Sequence, residues 1–161
     1  MTTDSAPIQL LDGRPVLLPP PSQAHQRVVA NLERILCQQL ASWPHCRLFL
    51  SAEIVPPHRD TSRYRADLMV SVTDPLLIIE VVDSATETVD RKVKLPDYRR
   101  MPSVREILYV DAEAPYCELS HRNDAGRWES EIITCLEDVL WLALCEEMIP
   151  VREIYQQAAK N

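Results

Sequence analysis

A chain of 161 residues and 18.4 kDa has the length of one domain. Its 17 basic and 24 acidic side chains give a net charge of −7, and 46% hydrophobic with 25% charged residues is the make-up of a packed globular chain, not a disordered one. Only two glycines occur, Gly13 and Gly126, which excludes a P-loop or a GxGxxG turn, and no apolar run nears the ~18 residues of a membrane span.

The first 21 residues are rich in proline. A short strand, a turn at Asp12-Gly13 and a second short strand at 16–18 are expected there, ended by Pro19-Pro20-Pro21. Ser22 is a good N-cap, and Val28, Val29, Leu32, Ile35, Leu36 and Leu40 fall on one stripe, so a helix is expected over 23–41. Strands are expected over 47–55, 64–72 and 76–82, with a polar loop at 58–62. The third strand reads Leu-Leu-Ile-Ile-Glu-Val-Val, the pattern of a strand covered on both faces. Residues 86–101 have helical spacing, with Thr86 as the cap. Pro96 lacks an amide hydrogen and clashes with the preceding turn, so a kink or a helix starting near residue 93 is expected. A strand at 107–110 follows, then an antiparallel pair, 116–122 and 128–135, around a turn at 123–126. Pro150 opens a last helix over 151–160. This order predicts an α/β fold, a central mixed sheet flanked by helices, in one domain spanning 1–161.

The five cysteines include no CxxC pair and the four histidines no HxxxH pattern, so free buried thiols are expected and no zinc site. The N-terminal Met-Thr-Thr-Asp-Ser lacks the basic and apolar regions of a signal peptide, and a cytoplasmic protein is expected. Charge is uneven: residues 1–105 carry 13 basic and 12 acidic side chains, and residues 106–161 carry 4 basic and 12 acidic. Such an acidic chain is a poor generic binder of nucleic acid, although a local basic face can serve a small substrate. Trp43, Phe49, Trp128 and Trp141 are expected in the core and not as a base-stacking platform.

Glu80 is the one ionisable residue in an apolar strand. Burying an ionised carboxylate costs several kcal/mol or more unless a cation or a proton offsets it. Asp67 lies on the preceding strand. An even connecting loop pairs residue 72 with 77 and residue 69 with 80, which puts Asp67 and Glu80 on one face as diagonal neighbours. A slip of one residue would separate them. Two converging carboxylates suit a hard ion such as Mg²⁺ or Mn²⁺. On these residues alone the structural reading is favoured, in which Asp67 caps a strand and Glu80 pairs with Arg65, Lys92 or Lys94.

The segments Tyr64-Arg65-Ala66-Asp67-Leu68, Ile79-Glu80-Val81-Val82, Asp90-Arg91-Lys92-Val93-Lys94 with Tyr98, and Pro102-Ser103-Val104-Arg105-Glu106 together resemble the Uma2 (DUF820) family. Pro20-Pro21-Ser22, His25 and Asn31-Leu32 are similar to its first helix, and residues 151–155 to its last. Alanine stands at position 66, where the family usually has proline, and Asp83 adds a carboxylate after the strand. The resemblance implies a restriction-endonuclease-like PD-(D/E)XK core. On that pattern Asp67, Glu80 and the backbone carbonyl of Val81 are the metal ligands, and Mg²⁺ or Mn²⁺ is the cofactor. It implies Lys94 as the catalytic lysine beside Asp67 and Glu80, and Arg65, Arg91, Lys92 and His25 as substrate contacts. The implied activity is endonucleolytic hydrolysis of phosphodiester bonds, in DNA more than in RNA, with no membrane partner. A homodimer would suit the cutting of two strands. An inactive nuclease fold used for binding or assembly is the alternative.

Overall fold

The computed structural model describes residues 8–83 and 87–157. The chain opens with a hairpin, β1 (Ile8–Leu11) and β2 (Arg14–Leu17), followed by α1 (Gln23–Leu40). The strands β3 (Arg47–Ile54), β4 (Tyr64–Ser71) and β5 (Pro75–Val82) come next. A helical arc follows: α2 (Glu87–Val89), a π-helical turn (Asp90–Lys94) and α3 (Leu95–Arg100). Then come β6 (Glu106–Asp111), β7 (Cys117–Arg122), β8 (Trp128–Ile133), the hairpin β9 (Val139–Leu142) with β10 (Glu147–Pro150), and α4 (Val151–Ile154).

Strands β3 to β8 form one sheet in sequence order. All neighbours are antiparallel except β5 and β6, which the helical arc joins as a parallel crossover. The expected mixed α/β sheet is what forms. The central strand β5 is buried at every residue after its first two, as a strand covered on both faces must be. One face packs under α1, α4 and the inner side of β9–β10, through Leu32, Leu36, Leu68, Leu77, Leu108 and Ile149. The other packs under the arc through Ile78, Ile107, Tyr109, Tyr98 and Val104. Each fully buried aliphatic side chain of these clusters contributes about 1.5–3 kcal/mol.

Ser22 caps α1 as expected, its Oγ accepting the amide of His25 at 3.1 Å. The buried stripe is Val28, Leu32, Ile35, Leu36 and Leu40, with Val29 only partly covered. Thr86, the expected cap of the next helix, lies outside the described residues. The regular α-helix starts at Leu95, two residues after the expected start near 93, with Pro96 at its opening. The π turn before it widens the spiral, the amide of Leu95 donating to the carbonyl of Asp90, and the proline falls in the first turn of α3, where a missing donor costs nothing. The last helix is shorter than expected and covers only Val151–Ile154, with 158–160 outside the described residues.

Several expectations are overturned. The register of β4 on β5 pairs Met69 with Ile78, not with Glu80, because a bulge between Val70 and Ser71 shortens the connection. The shift is by two residues, so parity is kept as far as the register runs, to Leu68 opposite Ile79. Trp43, Phe49 and Trp141 are exposed and Trp128 is half-buried. Cys117 and Cys145 are buried, but Cys37 and Cys135 are exposed. The hairpin β9–β10 forms where the residue pattern predicts no strand.

That hairpin is tied to the sheet by a buried carboxylate. Glu106 Oε1 and Oε2 accept the amides of Ala143 and Leu144, each at 2.9 Å. Glu106→Ala removes both bonds and is expected to lower the unfolding free energy by about 1.5–3 kcal/mol per bond lost. Urea unfolding measures this, and a loss below ~0.5 kcal/mol, the scale of a neutral surface substitution, would dismiss the tether.

Candidate functional site

The site lies where β4 and β5 part. Their register runs as far as Leu68 opposite Ile79. Beyond it side chains take the place of the backbone ladder. Asp67 Oδ2 accepts the amide of Val81 at 2.8 Å, and the carbonyl of Arg65 accepts from Lys94 Nζ at 3.2 Å. On its other side β5 stays paired with β6 through Val82 and Asp111, so the fork has one rigid wall.

Glu80 is 2% exposed at the base of the fork. Its Oε1 accepts from Lys94 Nζ at 3.1 Å and from the Tyr98 hydroxyl at 2.6 Å. Lys94 and Tyr98 are four residues apart on the arc, so both reach one carboxylate from one helical face. The ammonium is itself 2% exposed and also lies 2.7 Å from Asp90 Oδ1. Burial pushes the Glu80 carboxyl up to about 8, against the pull of Lys94. Burial works against the charge of Lys94, but Glu80 and Asp90 outweigh it and hold the ammonium protonated well past neutral pH.

A second buried carboxylate braces this arrangement from outside the fork. Asp97 accepts from the Tyr64 hydroxyl at 2.5 Å, and His58 Nε2 and Arg59 Nε lie 2.8 and 3.2 Å from it. Burial pushes Asp97 up, but the bonds from Tyr64 and His58 and the charge of Arg59 more than offset this and hold it below the usual carboxylate range. The Tyr64 ring meets the Tyr98 ring edge-on at 6.0 Å, which fixes the hydroxyl that faces Glu80.

Asp67 is the more open carboxylate, its side chain 25% exposed. His25 Nε2, from the first turn of α1, lies 3.0 Å from its Oδ1. Burial opposes the charge on His25, but its bond to Asp67 and the Asp67 charge raise its pKa. Asp67, Glu80, Lys94, His25 and Arg65 all line one cavity of about 430 Å³, together with Val81, Asp83 and Asp90. Among the described residues, no group of three or more histidine, cysteine or acidic side chains is gathered to hold a metal ion. The carboxylate oxygens on the floor are nonetheless the donor type that hard divalent ions take.

Comparison with known proteins bears on this cavity. The sequence model of the Uma2 family, described as "Putative restriction endonuclease", matches residues 2–148. The chain belongs to the Uma2 family. A crystal structure from Anabaena variabilis, titled as that of a putative nuclease belonging to DUF820, superposes with a TM-score of 0.73 at 10% identity, covering 92% of this chain and 89% of that one. The fold is therefore restriction-endonuclease-like. A stretch of 57 residues is 35% identical to the uncharacterized protein slr1290 of Synechocystis sp.; it covers 35% of this chain and 30% of that one. The match spans less than a third of that relative's length.

In this Uma2 protein the residues singled out as substrate contacts divide. Arg65 is exposed at the cavity and His25 lines it. Arg91 does not line it: its guanidinium lies over the rings of Tyr109 and Tyr116 and pairs with Glu118 of β7 and Glu87. Lys92 is exposed on the π turn, and it too lies off the cavity wall. Sequence reasoning misses two contributions. Asp90 is the second carboxylate on Lys94, and Tyr98 is a donor to Glu80. The Asp90, Lys94, Tyr98 spacing of four and four carries both.

No helix among the described residues is long and apolar enough to cross a membrane.

Proposed function

We propose that this Uma2 protein is a divalent-metal-dependent endonuclease that hydrolyses phosphodiester bonds, in DNA in preference to RNA. Asp67, Glu80 and the Val81 carbonyl would hold Mg²⁺ or Mn²⁺. The observation that carries this reading is the pairing of a nearly fully buried glutamate with a nearly fully buried lysine, 3.1 Å apart, on the floor of an open cavity. A structural pair of that kind has no need of a cavity.

Hydrolysis forms a bond from a water oxygen to phosphorus and breaks a bridging P–O bond, leaving one phosphate monoester and one hydroxyl. A bound ion supplies Lewis-acid polarisation of the phosphoryl oxygen and a more acidic water. Lys94 remains an ammonium between two carboxylates, so its role is to balance negative charge that grows on the phosphate, not to take a proton. His25 and the Val81 amide orient the Asp67 carboxylate from either side. Arg65, at the rim, meets the phosphate backbone.

The binding-module alternative also has an observation in its favour: both Asp67 oxygens and Glu80 Oε1 already have protein partners. Thermal unfolding during a Mn²⁺ titration separates the two. An ion that binds only the folded chain stabilises it, by about 2.7 kcal/mol at a hundred times its dissociation constant. The nuclease reading expects that rise in the wild type and its loss in Asp67→Ala, with plasmid nicking that stops in a chelator. A flat melting temperature at every Mn²⁺ concentration, with no nicking, would leave only the binding module.

A further inference from the structure

The cavity has two unlike halves. Its floor is charged, with Asp67, Glu80, Asp90 and Lys94. Its wall is apolar, built by Leu18, Pro19, Pro21, Val29, Ala30 and Leu50. The wall comes from three elements: the exit of the β1–β2 hairpin, one side of α1 and the edge strand β3. Gln26 and Glu33 flank Val29 and Ala30 on the same face of α1, at helical spacing, and add polar groups to that wall.

We propose that this cavity takes a single unstacked nucleotide, so that the substrate is a single-stranded segment of nucleic acid. This rests on the nuclease reading above and names its substrate class. Three observations carry it. A space of about 430 Å³ is in the range that encloses one small molecule, ~300–1,000 Å³. A duplex keeps its bases paired and stacked, so one nucleotide enters such a space only at the cost of unpairing and unstacking, about a few kcal/mol, which a single strand largely avoids. The apolar wall offers a base a surface that it lacks in water and does not need inside a stack. Finally, the chain carries −7 overall and the cavity rim adds Glu33 and Asp83, which disfavours the many phosphates of a duplex. A single strand also needs only one catalytic centre.

The test uses the full chain with Mn²⁺ and three labelled substrates of one sequence: a single-stranded oligonucleotide, its duplex, and the duplex with a one-nucleotide bulge, each as DNA and as RNA. Cleavage is read on gels, and binding by fluorescence anisotropy with Ca²⁺ in place of Mn²⁺. The single strand and the bulge are expected to be cut faster than the duplex by about tenfold or more, the scale of one base contact. Leu50→Glu places a charge on the wall at a residue 47% exposed, where folding tolerates it. It should weaken single-strand binding by a similar factor while the Mn²⁺-induced rise in melting temperature stays. Met148→Glu, on the exposed face of β10, should change neither. Cutting of the duplex as fast as the single strand, abolished by Asp67→Asn, would overturn this proposal and keep the nuclease. Single-strand binding lost in Leu50→Glu with no cleavage of any substrate would keep the strand site and overturn the nuclease. Single-strand binding unchanged in Leu50→Glu would overturn the wall's role outright.

Discussion

In Lys94→Met the unfolding free energy is expected to fall by about 3–5 kcal/mol, the cost of taking one partner from a buried ion pair. The side chain is of similar length, so packing changes little. What is lost is the ammonium that faces Glu80 at 3.1 Å and Asp90 at 2.7 Å. The remaining contact to Glu80 Oε1 is the Tyr98 hydroxyl at 2.6 Å, which donates to either form of the carboxyl. Below about pH 8 burial already keeps Glu80 protonated, and above it the wild-type carboxylate has the ammonium to face. The deficit should therefore stay nearly constant between pH 5 and 7 and grow above about pH 8. Adding Glu80→Gln to Lys94→Met should restore part of the loss, giving a coupling of about 0.5–3 kcal/mol in a double-mutant cycle by urea unfolding. Additive losses would mean that the two side chains do not act as a pair.

The second large effect is on the pH profile of stability. Glu80 ionises near 4.5 when unfolded, and burial raises it to about 8 in the fold. Between those values the folded chain holds a proton that the unfolded chain has released. Stability from this group is thus fully present below pH 4.5, falls as pH rises and levels off above about 8. A tenfold change in proton affinity corresponds to ~1.4 kcal/mol, so the swing is a few kcal/mol. Glu80→Gln keeps the shape and cannot titrate. Its profile should lack that fall and keep only the slopes that His25 and the buried Glu106, both also raised, contribute to both proteins. Parallel profiles for the two proteins, in metal-free buffer, would contradict a carboxyl held up by burial.

The part of the site that is legible in the sequence follows from contrast. A single carboxylate in an apolar strand stands out, and so does the Asp90, Lys94, Tyr98 spacing on a helix. The side shared by Asp67 and Glu80 depends only on parity, but the actual register depends on a bulge at Val70 and Ser71 that no local residue announces. Arg91 looks like a phosphate contact as part of a basic run. Its real partners include Glu118 and two tyrosines from 18 and more residues further along the chain, and only the folded sheet brings them near. The β9–β10 hairpin is illegible for the same reason, since its anchor Glu106 lies 37 residues from Ala143. Trp141 and Met148 face each other on the hairpin's outer side, so apolar character there does not signal core. Pro96 is incompatible with a regular helix interior on sequence grounds alone, but that a π turn precedes it, from which Lys94 reaches Glu80, is visible only in the fold.

The most direct test of the central claim is the Mn²⁺-dependent cleavage rate of single-stranded and duplex DNA by wild type, Asp67→Asn, Glu80→Gln and Lys94→Met, each first checked for folding by its melting curve. If the three side chains form one hydrolytic centre, each folded variant loses about 10²–10⁴-fold in rate on whichever substrate the wild type cuts. Cleavage at the wild-type rate by all three would mean that hydrolysis, if present, takes place elsewhere on the chain.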